Sequence, residues 1–330
     1  MNEEEIRPKV IFDEYLRLAQ RDAKTYFDES SMYSVDCPAC LANGVYSFKK
    51  NGFAYEECPV CHTLFVSPRP PANSITCYYR DSESAKYWAT TFYTVTAEAR
   101  REKIWRPKAK MIHEFIERYS TNQYSLVDIG GGYGIFAEEC VKLFGSKVTV
   151  IEPNSGLARN CREKGINVIE EFLEDIKPEQ LSTGAKVFVS FELFEHLHSP
   201  ENFLRHLKEL MSIGDIFAFT TLSGTGVDIQ ALWKDSKSVF PPHHLNFLNP
   251  KSVRILLERV GFETLQISTP GKLDIDILCN NKQYIKDRFW RTFVIHASEA
   301  EKHAMQELLS VSGWSSHMLV VCQKLSEVSK

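Results

Sequence analysis

The sequence predicts an α/β protein built on a mostly parallel, twisted sheet, with a small cysteine-bearing module ahead of it. Three observations carry this expectation. Ser125–Phe136 reads as a buried strand, a glycine turn and a helix. Strand and helix patterns then alternate from Lys147 to Ile267, the rhythm of a doubly wound sheet. Two Cys-x-x-Cys pairs, Cys37/Cys40 and Cys58/Cys61, precede all of this.

The glycine turn organises the rest. Leu126, Val127 and Ile129 form the apolar run of a strand covered on both faces. The chain then bends and exposes bare backbone, which glycine permits without steric cost. The spacing decides which ligand is meant. A dinucleotide fingerprint needs a third glycine where Ile135 stands, and no Gly-Lys-Ser/Thr ends the turn as a phosphate loop requires. The residues present are Asp128, Gly130, Gly131, Gly132 and Gly134. Lys147–Glu152 reads as the next strand and ends in an acid about twenty residues past the turn, where a carboxylate can accept both hydroxyls of a ribose.

This Asp-x-Gly-x-Gly-x-Gly run, followed by Glu152, resembles the first motif of the class I S-adenosylmethionine (SAM) methyltransferases. The resemblance implies a Rossmann-like, seven-stranded methyltransferase sheet and a SAM cofactor. SAM carries no phosphate, so no lysine is needed; its ammonium suits the turn carbonyls and Asp128. Pro153, after the acid, belongs to the same cofactor set. The loop after the third strand, Ile166–Ile169, would flank the adenine. Phe172 and Leu173 are its candidates for apolar contact and Glu171 for the exocyclic amine.

Composition sets limits. At 330 residues the chain exceeds the usual single domain, so one large domain plus an appendage is expected. The net charge of −4 lacks the basic excess that usually accompanies a nucleic-acid substrate. No apolar run reaches membrane-spanning length, and Met1–Glu5 is the opposite of a signal peptide. A cytoplasmic protein is expected. There, the nine cysteines point to metal or burial rather than disulfides.

In chain order, an amphipathic helix is expected from Val10 to Ala19, with no readable function. The two cysteine pairs, separated by seventeen residues, have the spacing of a four-cysteine zinc ribbon. Four sulfur ligands leave no open position, so a zinc ion there is structural. Cys58–Pro71 with Tyr78-Tyr79, and the segments around Leu273 and His317, resemble a bacterial methyltransferase family associated with polysaccharide, sugar or natural-product biosynthesis. Aromatic-rich helices should link ribbon and core, and Pro107 should open the first core helix. The expected division is 1–34 helical segment, 35–68 ribbon, 69–106 linker and 107–330 methyltransferase domain, with insertions at about 222–248 and 270–314.

Lys186–Phe191 is the fourth strand, and Glu192-Leu193-Phe194-Glu195-His196-Leu197 leaves it. This resembles a Phe-Glu-x-x-Glu-His-Leu segment of many such methyltransferases. The strand's carboxyl end borders the ligand crevice, so Phe191 and Glu192 join the cofactor set. His196 can take a proton from a hydroxyl, with Glu195 or Glu192 orienting it. His243 and His244, which face the active site in the resembled family, are alternative bases; adjacent histidines point apart, and no third metal ligand is evident beside them. The implied reaction is methyl transfer to a sugar, nucleotide-sugar or glycan hydroxyl, or to a carbon. Two alternatives stay open: an RNA or protein methyltransferase whose ribbon grips the macromolecule through Lys49, Lys50 and Arg69, and a non-catalytic SAM-binding scaffold.

Overall fold

A computed structural model describes residues 2–119 and 124–325; Met1 and 326–330, the two ends of the expected division, lie outside the described residues. The large sheet has seven strands: β4 Tyr124–Ile129, β5 Lys147–Ile151, β6 Asn167–Ile169, β7 Ala185–Phe191, β8 Ile216–Leu222, β10 Phe262–Ser268 and β11 His317–Lys324. Their order is β10-β11-β8-β7-β4-β5-β6. The β8-β7-β4-β5-β6 run is parallel, and β11 lies antiparallel between β8 and β10. The order reverses between β4 and β7, the switch point where ligands bind in open α/β sheets.

Side chains alternate along the central strands, as a sheet covered on both faces requires. Phe188, Phe217 and Phe219 enter one core with Leu204 and Leu207 of helix Pro200–Leu210 and Leu256 and Leu257 of helix Pro250–Val260. Val187, Val189, Ile216 and Ala218 enter the other with Ile112 and Ile116 of helix Arg106–Tyr119 and Phe136 and Cys140 of helix Ile135–Phe144.

The ribbon is not an appendage. Strands β1 Val45–Lys50, β2 Phe53–Glu57 and β3 Leu64–Val66 form an antiparallel sheet completed by β9 Asn246–Phe247, which comes from the 222–248 excursion. Leu64 pairs with Phe247 and Phe65 with Asn246. Cys37, Cys58, Cys61 and Phe65 belong to the same apolar core as Phe194, Val253 and Leu256. A module of this size has too little apolar surface to close a core of its own, and here it borrows one.

The linker also differs from expectation. From Glu83 to Tyr119 the chain is one helical run with π turns at Trp88–Phe92 and Arg101–Trp105. Pro107 sits inside this run instead of opening a helix. The π turn just before it shifts the ladder, with Arg106 N–H bonding back to the Arg101 carbonyl, which accommodates a ring that an unbroken α-helix would reject. The first long helix spans Lys9–Tyr26 rather than Val10–Ala19. The 270–314 insertion forms helices Asp274–Asn280, Arg288–His296 and Glu299–Ser312. It is anchored where Asp274 accepts bonds from Gln306 Nε2 (2.7 Å) and Ser316 N–H (2.7 Å).

Candidate active site and metal centre

The glycine turn follows β4 directly. Gly130, Gly132 and Gly134 have φ of +70°, +55° and +72°, conformations that L side chains avoid. Gly131 is constrained by space: a Cβ there would lie 2.9 Å from Asp128 Oδ2 and 2.8 Å from Val150 Cγ1. Glu152, at the end of β5, closes the turn. Its Oε2 accepts from Gly132 N–H and its Oε1 from Asn154 N–H, each at 2.9 Å. Each oxygen keeps a further lone pair for a hydroxyl, so the carboxylate is fixed before any ribose arrives. Burial raises its pKa.

Asp128 is buried, and its Oδ2 has no partner. Burial, then the Glu152 charge, pushes its pKa up to about 7. An orphaned buried carboxylate oxygen beside the turn is what an incoming ammonium would satisfy. The cleft between turn and β7 is lined by Asp128, Gly130, Gly131, Phe136 and Phe191, and roofed by Tyr93 and Tyr133. The two tyrosine rings stack at 5.4 Å and 5°. The residues therefore fit the aminoacyl and ribose ends of SAM.

The adenine set is only partly assembled. Leu173, read from the sequence as an apolar contact, packs into the core with Ile151 and Ile176. Phe172 is exposed, and Glu171 accepts a bond from Gln180 Nε2 at 3.2 Å. Pro153 follows Glu152 at the cleft edge of the sheet.

A second cluster sits at the carboxyl ends of β7 and β8. Glu195 is buried and accepts a bond from Thr221 Oγ1 at 3.1 Å. Burial raises its pKa to about 7. His196 Nδ1 lies 2.9 Å from the Tyr79 hydroxyl. His244 Nδ1 bonds to the Ser238 carbonyl, which only accepts, so Nδ1 carries the proton and Nε2 presents a lone pair. The His196 and His244 rings meet edge to face at 4.8 Å. Burial, with the neighbouring imidazoles, lowers the His196 pKa well below the ordinary value, and burial brings His244 to about 4. Both rings are neutral at pH 7 and can accept protons. The expectation that no third metal ligand is evident is corrected here: an oxygen of Glu195, read from the sequence only as orienting His196, and one nitrogen each of His196 and His244 lie within 4.8 Å of one another.

His243 does not share this role. Its Nε2 is held between the hydroxyls of Tyr78 (2.7 Å) and Tyr15 (3.0 Å), and it is only 4% exposed. The adjacent rings thus meet different partners, Tyr15 and Tyr78 for His243 and Ser238 for His244, a difference that no local sequence pattern encodes. Tyr15, Tyr78 and Tyr79 were missed. The Tyr78-Tyr79 pair was visible only as a resemblance, and Tyr15 lies 228 residues from its partner.

Glu192 sits at φ +56° and pairs with Arg100 at 2.9 Å and, more loosely, Lys108 at 4.0 Å. Burial alone would raise its pKa, but Arg100 and Lys108 outweigh that and hold it at about 2.

In the ribbon, the Sγ atoms of Cys37, Cys40, Cys58 and Cys61 lie within 4.8 Å of one another. Cys37–Cys61 are 3.5 Å apart and Cys40–Cys58 3.4 Å, near the roughly 3.8 Å edge of a tetrahedral zinc tetrathiolate. Backbone amides of Ala39 and Cys40 point at Cys37 Sγ and that of Ala42 at Cys40 Sγ, donors that favour thiolates. The group could hold a zinc ion. The basic face required for an RNA-gripping ribbon does not form. Arg69 is 2% exposed and bonds to Asn246 Oδ1, Lys50 donates to the Ser236 carbonyl, and Lys49 pairs with Glu29.

The seven-stranded order and the glycine turn closed by a strand-end glutamate define the class I methyltransferase fold. A family profile described as "Methyltransferase domain" matches residues 94–267, more than half of the chain, and the protein belongs to that family. A curated relative, malonyl-[acyl-carrier protein] O-methyltransferase 1 of Ilyobacter polytropus, is 27% identical over 108 residues, covering 31% of this chain. The matched stretch spans only 39% of that relative's length. Among solved structures, the plantazolicin methyltransferase BpumL in complex with SAH aligns over 76% of this chain and 94% of its own, at 13% identity and TM-score 0.47. A SAM-dependent methyltransferase from Archaeoglobus fulgidus aligns over 70% and 100%, at 16% identity and TM-score 0.46. No helix among the described residues is long and apolar enough to cross a membrane.

Proposed function

We propose that the protein transfers the SAM methyl group to a hydroxyl or carbon of a small-molecule or glycan acceptor, with a sugar or nucleotide sugar as the first class to test. The observation that carries the methyltransferase reading is the glycine turn closed by Glu152, together with the neutral His196–His244 pair at the ends of β7 and β8. One element fits the cofactor; the other supplies nitrogens able to take the acceptor's proton. SAM supplies an electrophilic methyl group on sulfur. The acceptor atom attacks that carbon as the carbon–sulfur bond breaks, and S-adenosylhomocysteine leaves. His196 is the favoured proton acceptor, because Tyr79 fixes its ring and Glu195 follows β7 beside it. Holding acceptor and cofactor in line supplies the larger part of the rate, and proton removal adds about 10²–10⁴-fold. Zinc on the four cysteines would be structural.

The acceptor preference rests on the sugar and natural-product association of the resembled family. The curated relative adds a second acceptor class, a malonyl thioester carboxylate. An RNA acceptor is disfavoured by the burial of Arg69. The test is calorimetric binding of S-adenosylhomocysteine, followed by transfer from labelled SAM to sugar nucleotides, a malonyl thioester and RNA. Micromolar binding with label on a small-molecule acceptor is the expected result. Binding without transfer to any acceptor moves the scaffold reading forward.

A further inference from the structure

We propose that Arg100 and Lys108 form the anchor for the carboxylate at the methionine end of SAM, a contact no motif of the sequence assigns. The inference rests on the cofactor reading above. In that reading Glu152 takes the ribose, and Asp128 with the turn carbonyls takes the ammonium. The carboxylate on the same carbon has no assigned partner. It must lie a few ångströms from the ammonium, at the Asp128 and Phe191 end of the cleft.

Two buried cations sit at that end. Arg100 is 5% exposed and Lys108 7%. Arg100 Cζ lies 5.7 Å from the ring centres of both Tyr93 and Trp105. Lys108 Nζ lies 4.8 Å from that of Trp105 and 4.6 Å from that of Phe191. Tyr93, Trp105 and Phe191 all line the cleft with Asp128 and Gly130. Each cation thus packs against aromatic rings that line the cleft.

Their charge is incompletely answered. Among the described residues, Glu192 is the one carboxylate paired with either, and Arg100 Nε is buried with no partner. Lys108 also donates to Thr220 Oγ1 at 3.4 Å and feels the Glu195 and Asp128 carboxylates, so the group left short of an acceptor is the Arg100 guanidinium, whose buried Nε is costly to leave unmatched. Glu192 reaches them only from a left-handed backbone conformation, and its side chain remains 36% exposed. It holds the place of a carboxylate at the cleft's edge, and the cofactor's carboxylate would complete the set. Both cations lie on the helical run from Glu83 to Tyr119, so this contact would also tie the Tyr93 roof to the bound cofactor.

The test uses the full chain and two ligands differing by one group: S-adenosylhomocysteine, and S-adenosyl-3-thiopropylamine, which keeps the ammonium and lacks the carboxylate. Arg100→Met and Lys108→Met should each weaken S-adenosylhomocysteine tenfold or more while changing the decarboxylated ligand less than twofold. Arg100→Lys, which keeps the charge, should fall between wild type and Arg100→Met; it serves, with Lys108→Met, if Arg100→Met fails to fold. Unchanged S-adenosylhomocysteine affinity overturns the anchor, and so does equal loss for both ligands. Wild-type protein that binds neither ligand overturns the cofactor reading itself, a separate result.

Discussion

Glu152 is set before its ligand arrives. Two backbone amides fix its oxygens, so on the proposed reading a ribose would meet a carboxylate with little rotamer freedom left to lose. Glu152→Ala should therefore weaken S-adenosylhomocysteine by tenfold or more, about 1.4 kcal/mol or greater; calorimetry showing unchanged affinity would remove Glu152 from the site. The two kinds of histidine separate by experiment. His196→Asn should lower kcat by roughly 10²–10⁴-fold with cofactor affinity retained, read from single-turnover rates and calorimetry side by side. His243 instead acts on stability. Burial, with His244 nearby, brings its pKa to about 3 from an ordinary 6.5. A lowered folded-state value means its contribution is present above pH 6.5 and lost as pH falls toward 3. The stability difference between wild type and His243→Gln should shrink across that window in denaturant titrations. Asp128 and Glu195, both raised to about 7, act in the opposite sense but are common to the two proteins. A constant difference would refute the buried neutral imidazole.

At the scale of elements, what was legible is what is local. The glycine turn could be read because its dihedrals are demanded by consecutive residues, and the cysteine knuckles because ligand spacing is a short-range constraint. The strand β9 could not be read. Two residues carry no period, and Asn246-Phe247 becomes a strand only because β3 offers an unpaired edge. Pro107 misled for a related reason: a proline marks a helix start only when the preceding ladder is regular, and here a π turn precedes it. The ribbon's dependence on β9 has a measurable consequence. Metal analysis should find one zinc per chain, lost in Cys58→Ser. Because the four cysteines share a core with Phe194 and Leu256, that variant should lower the melting temperature of the whole chain in one transition. A separate low-temperature ribbon transition, with the remainder unchanged, would contradict the shared core.

Across the whole molecule, the site is assembled from distant parts. Tyr15 comes from the first long helix, Tyr79 from the linker, His196 from the end of β7 and His244 from the excursion. No window of sequence contains this set, which is why motifs could point to a cofactor turn while the proposed proton acceptor had to wait for the fold. The 1–34 segment, without readable function by itself, supplies Tyr15 to His243 and the Asp22 carboxylate that accepts from Ser84 N–H at 2.7 Å. Deleting 1–34 should thus reduce methyl transfer and thermal stability while leaving zinc content at one per chain. Full activity in the truncated chain would show that the first helix does not support the site.

The pairing of β3 with β9 also orders events on the ribosome. Arg69 and Asn246 bond across 177 residues of chain. At roughly 5–20 residues per second, about 10–40 s pass between the emergence of the two. During that interval the early strands have an open edge and half a core, and a zinc tetrathiolate on the four cysteines would be the strong link they can make without the rest of the protein. The ion would then serve as a scaffold in time, holding a nascent edge in register until its partner is synthesised, so metal starvation should act on newly made chains well before it affects finished ones.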